Sequence, residues 1–191
     1  MKVGVYVGSF NPVHKGHINI VNYLLKNKIL DKIIIIPTKS YWKKNNLVNI
    51  KNRINMLKYY ENDQIIIDTK LNSYKYTYQI LNELKKYYND LYLIIGDDNL
   101  INFDKWKNVD EILLNKVIVV KREILDPYVY INRFNKKDSF ILIENYESIN
   151  ISSTNIRKLI LEKKYNELNK LLDSDIIEYI LKNNLYEGFN E

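Results

Sequence analysis

Both histidines of the chain fall in one stretch of ten residues, GSFNPVHKGH, at positions 8 to 17. His14 and His17 stand three positions apart, with Gly8 before them, Gly16 between them and Pro12 just upstream. Two imidazoles at this spacing fit two chemistries. They can donate hydrogen bonds to phosphate oxygens as negative charge develops there, or ligate a metal from one face. The metal reading needs further ligands. The chain has no cysteine and no third histidine, so only distant carboxylates remain to complete such a site. Phosphate is favoured by the surroundings: an apolar run ends at Gly8, and a helical pattern begins at His17. Glycines let the backbone turn sharply and let a ligand approach closely. The amides and dipole of a helix N-terminus then favour a bound anion. The stretch is neither a Walker loop, which ends in Gly-Lys-Ser/Thr, nor a G-x-G-x-x-G turn.

A second stretch, ISSTNIR at 151–157, carries related chemistry. Ser152, Ser153 and Thr154 are N-cap residue types, and Arg157 falls in the first turn that follows. Alone, this is a well-capped helix with a solvated arginine. Beside the histidine loop it reads as another phosphate cradle of hydroxyls, amides and a guanidinium. A third stretch, IIGDDNLINFDKW at 94–106, places Gly96 and Asp98 just after an apolar run, with Trp106 eight residues past Asp98. A carboxylate there can accept from ribose hydroxyls, and an indole can stack on an electron-poor ring. The plainer reading makes Asp98 a helix cap and Trp106 a core residue.

The elements that must position these residues follow from hydrophobic pattern. Short β-branched runs occur at 3–7, 33–36 (IIII), 65–67, 91–95 (LYLII), 117–120 (VIVV) and 140–143 (FILI). Helical spacing lies between several of them: Ile18, Val21 and Leu25, then Ile80, Leu81 and Leu84, then Ile156, Leu159 and Ile160. Continuous apolar strands alternating with helices predict an α/β fold, a Rossmann-like, doubly wound parallel sheet covered on both faces. Residues 151 to about 185 read as wholly helical. The stretch 121–138 is the least regular and reads as a surface excursion. With no repeat and no Gly/Ser/Pro linker, residues 1–191 are expected to form a single domain whose C-terminal part, about 151–187, is helical. Ligands of such sheets sit beyond the carboxyl ends of the strands, where all three stretches fall.

Composition bounds the rest. The chain has 191 residues, a formal net charge of +6 and 46% hydrophobic residues. That hydrophobic share and length suit a packed globular core. The lysines come in scattered pairs, as at Lys85-Lys86 and Lys163-Lys164, which indicates a solvated surface rather than a nucleic-acid stripe. No apolar run reaches the roughly 20 residues of a spanning helix, and residues 1–10 lack the pattern of a signal peptide. A cytoplasmic protein with neither nucleic-acid nor membrane partners is expected. The oligomeric state stays open, a homo-oligomer included.

GSFNPVHKGH resembles the G-x-F-x-P-x-H-x-G-H signature of the nucleotidyltransferase superfamily of adenylyl- and cytidylyltransferases. ISSTNIR resembles the I-S-S-T-x-I-R motif of the same superfamily, in a form similar to the enzymes acting on pyridine mononucleotides. The resemblance implies that His14, His17 and Arg157 are catalytic. It implies an ATP site drawn from Gly8, Ser9, Phe10, His14, His17, Gly96, Asp98, Ile151, Ser152, Ser153, Thr154 and Arg157. The G-x-D…W stretch and KYTYQILNEL (75–84) are similar to segments of the bacterial nicotinate mononucleotide adenylyltransferases. IPTKSYWKK (36–44) falls where the family has a proline-rich loop ending in Pro-Pro-His-Lys, with Lys44 at the lysine. On these likenesses Lys44, Tyr76, Thr77, Trp106 and Lys107 take the mononucleotide, with Trp106 stacked on the pyridine. NIKNRINML (49–57) resembles the family's helix, with Arg53 at its arginine, and NNLYE (183–187) its closing turn.

The implied partners are ATP, with Mg²⁺ carried on its phosphates, and a pyridine mononucleotide. No metal is assigned to protein side chains. The implied reaction transfers AMP to nicotinate mononucleotide, giving deamido-NAD and pyrophosphate. Preference for nicotinamide mononucleotide, phosphopantetheine adenylyl or cytidylyl transfer, and non-catalytic nucleotide or RNA binding remain as alternatives. The chain departs from the family pattern at Asn11, where aspartate is common, at Tyr41-Trp42-Lys43, and at Gln79, Asp97 and Lys107. These changes spare the triphosphate residues and fall mainly on the acceptor side.

Overall fold

The computed structural model describes residues 1–38, 47–122, 126–149 and 151–187. Lys44 and the Tyr41-Trp42-Lys43 departure lie outside the described residues. Six strands form one sheet: β1 (Lys2–Gly8), β2 (Lys32–Pro37), β3 (Ile65–Ile67), β4 (Asp90–Gly96), β5 (Lys116–Val120) and β6 (Phe140–Ile143). Their order is β3-β2-β1-β4-β5-β6, and every adjacent pair is parallel. Each strand sits on one of the apolar runs. Runs such as Ile33–Ile36 are buried throughout because both faces of the sheet are covered.

The two faces carry separate cores. Tyr6, Phe10, Val13 and Ile35 face a layer made by α1 (Lys15–Lys26), α2 (Ile50–Lys58), α6 (Ser153–Leu161), α7 (Tyr165–Leu171) and α8 (Ser174–Lys182). Val3, Val5, Ile34 and Ile36 face α3 (Thr77–Leu84), α4 (Val109–Ile112), α5 (Pro127–Ile131) and a 3₁₀ segment, Asp97–Lys105. The alternation along β1 and β2 is the two-residue period of a strand. α1 buries Ile18, Ile20, Val21 and Leu24, close to the expected stripe, and ends where Lys28 turns to φ 54°.

Two expectations change in detail. The tail is helical but broken into α6, α7 and α8, with Lys163 in the left-handed region between the first two. The irregular 121–138 stretch contains α5, and Ile131 and Phe134 are buried, Phe134 against Phe103 and Phe140. A crossover between parallel strands must cover the sheet. Its apolar residues are too few and too short-ranged to show helical period.

In this order the chain reverses direction across the sheet between β1 and β4. A loop leaves β1 on one side and another leaves β4 on the other, opening a crevice at their carboxyl ends. Gly8 and Gly96 are the last residues of those two strands.

Candidate active site

The loop from β1 into α1 is built on three props. Arg53 of α2 is 2% exposed. Its Nη1 donates to the carbonyls of Ser9 (2.6 Å) and Thr38 (2.8 Å), and its Nε to that of Val48 (3.1 Å). A buried guanidinium thus ties the histidine loop to the exit of β2. Asn11 Oδ1 accepts from the Val48 amide and from the buried Tyr186 hydroxyl, both at 3.2 Å. The departure to asparagine keeps the acceptor oxygen an aspartate would offer, and the NNLYE turn supplies the hydroxyl. Phe10, in the left-handed region at φ 45°, is 2% exposed and packs edge-on to Tyr6 and His17. Its side chain belongs to the core.

His14 is the N-cap of α1 and His17 its third residue. Their rings stack with centroids 3.6 Å apart and planes 25° apart. A Cβ on Gly16 would stand 3.1 Å from two atoms of the His14 ring, so the missing side chain gives that ring its place. The His14 amide donates to His17 Nδ1 at 3.3 Å. An accepting Nδ1 carries no proton, so neutral His17 bears its proton on Nε2 as a donor. Burial and then the Arg122 charge lower the His14 pKa to about 3. Burial, His14 and Arg122 also hold His17 well below the ordinary imidazole value. Both rings are therefore neutral at pH 7.

The second stretch meets the first directly. Ser152 caps α6, its Oγ accepting from the Asn155 amide at 3.1 Å. Ser153 Oγ donates to the Pro12 carbonyl and Arg157 Nη1 to the Asn11 carbonyl, each at 3.0 Å; Arg157 Nη2 reaches Thr154 Oγ1 at 3.1 Å. Ile151 is buried, its Cβ 3.6 Å from where a Gly16 Cβ would be. Helices α1 and α6 thus begin side by side, and their positive dipole ends converge. Asp98 is exposed beyond β4, 3.9 Å from Arg122, and its carboxylate accepts from Asn99. Asp97 is fully buried and accepts from the Asp98 amide, so this departure shapes the turn.

Tyr76, Thr77, Trp106 and Lys107 stand apart from that cluster. Thr77 opens α3, with Tyr76 as N-cap; Gln79 accepts from the Tyr76 amide at 3.1 Å. Gln79 is thus employed in a capping box, whose third helical position takes Glu or Gln. Trp106 is half-buried against Phe103, ring centroids 5.0 Å apart, at the edge of the core on the face away from the histidines. Lys107 is exposed. Among the described residues no three His, Cys, Asp or Glu gather as a metal site, and no helix is long and apolar enough to cross a membrane.

Sequence reasoning missed Arg122. It follows β5, and its Nη2 donates to the Ile151 carbonyl at 3.3 Å. The signal was its place, two residues past the carboxyl end of a central strand.

Residues 5–159 match the family model described as cytidylyltransferase-like. The chain belongs to the cytidylyltransferase-like family. Relatives within it extend over nearly the whole chain. A Fusobacterium nucleatum protein named "Probable nicotinate-nucleotide adenylyltransferase" is 37% identical over 93% of this chain and 100% of its own length. A Borreliella afzelii protein of the same name is 38% identical over 97% of each. The fold matches a solved Plasmodium falciparum nicotinic acid mononucleotide adenylyltransferase complexed with NaAD, with a TM-score of 0.82 at 22% identity over 97% of both chains. Membership in the cytidylyltransferase-like family makes the chain a nucleotidyltransferase.

Proposed function

We propose that the chain transfers AMP from ATP to nicotinate mononucleotide, forming deamido-NAD and pyrophosphate. The observation that carries this reading is the bonding of ISSTNIR to GSFNPVHKGH at the β1–β4 crevice. The names of the full-length relatives supply the acceptor.

In the reaction a mononucleotide phosphate oxygen attacks the α-phosphorus. The new O–P bond forms as the bond to the bridging oxygen breaks, and that oxygen leaves with pyrophosphate. The attacking phosphate is largely dianionic at pH 7, so no general base is needed. Alignment and stabilisation of developing charge remain. His17 Nε2–H is a fixed neutral donor for that charge, with His14 stacked beside it. Arg157 and the amides opening α1 and α6 supply the positive field. Ser152, Ser153, Thr154 and Ile151 form the triphosphate cradle with Gly8, Ser9 and Phe10. Asp98, beside Gly96, accepts from the ribose. Mg²⁺ arrives with the ATP phosphates as part of the substrate; the donors around the histidines suit anions rather than a cation.

Trp106 stacks on the pyridine, with Tyr76 and Thr77 lining its pocket and Lys107 and Lys44 on the acceptor's polar groups. Residues 1–191 act as one catalytic domain in the cytoplasm. Incubation with MgATP and, separately, nicotinate mononucleotide, nicotinamide mononucleotide, phosphopantetheine and no acceptor tests the reading by pyrophosphate release. Release dependent on nicotinate mononucleotide supports it; turnover of phosphopantetheine alone rejects it.

A further inference from the structure

Arg122 is placed to do more than brace a loop. Its backbone carbonyl accepts from Ser148 Oγ at 3.1 Å, which fixes the root of the side chain. The stem crosses Gly96, where a Cβ would come within 2.9 Å of Arg122 Cδ and would collide with the Asp98 carboxylate. The absence of a side chain at 96 thus admits both groups to the crevice. At its far end the guanidinium is poorly matched. Nη2 reaches one carbonyl at 3.3 Å, and Nη1 stands 3.9 Å from Asp98 Oδ1, beyond hydrogen-bond length. The Arg122 side chain is 26% exposed and that of Asp98 44%. A guanidinium carries five N–H donors in a rigid fork, and its charge is felt by both imidazoles.

We propose that Arg122 is a second phosphate-binding cation of the site, beside Arg157, and that it exchanges Asp98 for a phosphate oxygen when the nucleotide enters. The proposal rests on the adenylyl-transfer reading above. A phosphate offers the fork two short, charge-assisted bonds in place of a carboxylate held at arm's length. The exchange also turns Asp98 Oδ1 away from the guanidinium, leaving the carboxylate free to accept from the ribose hydroxyls. Filling the phosphate cradle thereby prepares the ribose acceptor, and the two halves of ATP are recognised together. Among the described residues Asp98 is the sole acid within ion-pair distance of Arg122.

Calorimetric binding of inorganic tripolyphosphate isolates this step, because the probe has no ribose and undergoes no transfer. Arg122→Ala should weaken binding about 10-fold, on the scale of one charge-assisted contact. Arg122→Lys, which retains the charge without the fork, should recover only part of it. Asp98→Asn removes the competitor and should tighten tripolyphosphate binding about 3-fold in the wild-type background and leave it unchanged in Arg122→Ala. The same Asp98→Asn should weaken ATP. Thermal melts establish that each variant is folded. Equal tripolyphosphate affinity in wild type and folded Arg122→Ala or Arg122→Lys overturns the role of Arg122 alone. Weaker tripolyphosphate binding by Asp98→Asn overturns the exchange. Failure of the wild type to bind tripolyphosphate overturns the phosphate cradle itself, and with it the adenylyl-transfer reading.

Discussion

The proposed phosphate side and the proposed acceptor side of the site are built by different means. On the phosphate side, backbone carbonyls are the anchors: Arg53 holds Ser9, Thr38 and Val48, Ser153 holds Pro12, Arg157 holds Asn11, and Arg122 holds Ile151. On the acceptor side, Trp106 rests on Phe103, Tyr76 on Tyr78, and Lys107 is exposed. Transition-state stabilisation demands donors fixed to a few tenths of an ångström before charge develops. An aromatic ring bound by stacking and area tolerates more slack. On the proposed assignment the chemistry sits on a bonded frame, and selectivity on a packed, more exposed surface.

The comparison breaks most visibly if the frame proves dispensable. His17→Ala should lower kcat at least about 10²-fold, the scale of one lost transition-state donor, while the protein stays folded; steady-state kinetics read it. Arg53→Ala should destabilise the fold by about 3 kcal/mol in denaturant titration, since three carbonyls lose a charged donor. Arg53→Lys should rescue little, as one ammonium cannot reach all three.

Acid stability sharpens the contrast further. The folded-state pKa of His14 lies below its unfolded value, so its neutral form contributes stability that is present above about pH 6.5 and lost toward pH 3. Between pH 7 and 5 that loss is about 2 kcal/mol. Comparing wild type with His14→Gln by denaturant midpoint across this window should show a flatter pH dependence in the variant.

Smaller effects belong to the acceptor side and the caps. Trp106→Ala should raise KM for the mononucleotide about 10-fold with kcat changed little, in keeping with the loss of one stacking partner. A fall in kcat at constant KM would instead move Trp106 onto the phosphate frame. Ser152→Ala should cost about 1 kcal/mol of stability through the lost cap.

The same division governs what the sequence discloses. Ile33–Ile36 and VIVV announce buried strands because both faces of a parallel sheet select apolar residues. The histidine pair and ISSTNIR are legible because phosphate chemistry draws on few residue types near helix starts. That Ser153 and Arg157 grip the carbonyls of residues 12 and 11 was not legible, because it depends on distances across 141 and 146 residues. Arg53 appeared in sequence only as an alignment with a motif; its burial under the histidine loop follows from how α2 packs on β2. Arg122 carried no motif, only a position at a strand end. Gln79 and Asn11, departures on paper, turn out to make a capping bond and an accepting oxygen.

The measurement closest to the central claim follows the phosphorus. Wild-type protein is given MgATP labelled at the α-phosphorus together with nicotinate mononucleotide, and the products are separated by mass and by ³¹P NMR. The label should appear in a dinucleotide with a new P–O–P bond, in amounts equal to the pyrophosphate released, and His17→Ala should slow both together. Labelled AMP or ADP with the mononucleotide left intact would contradict adenylyl transfer by this site.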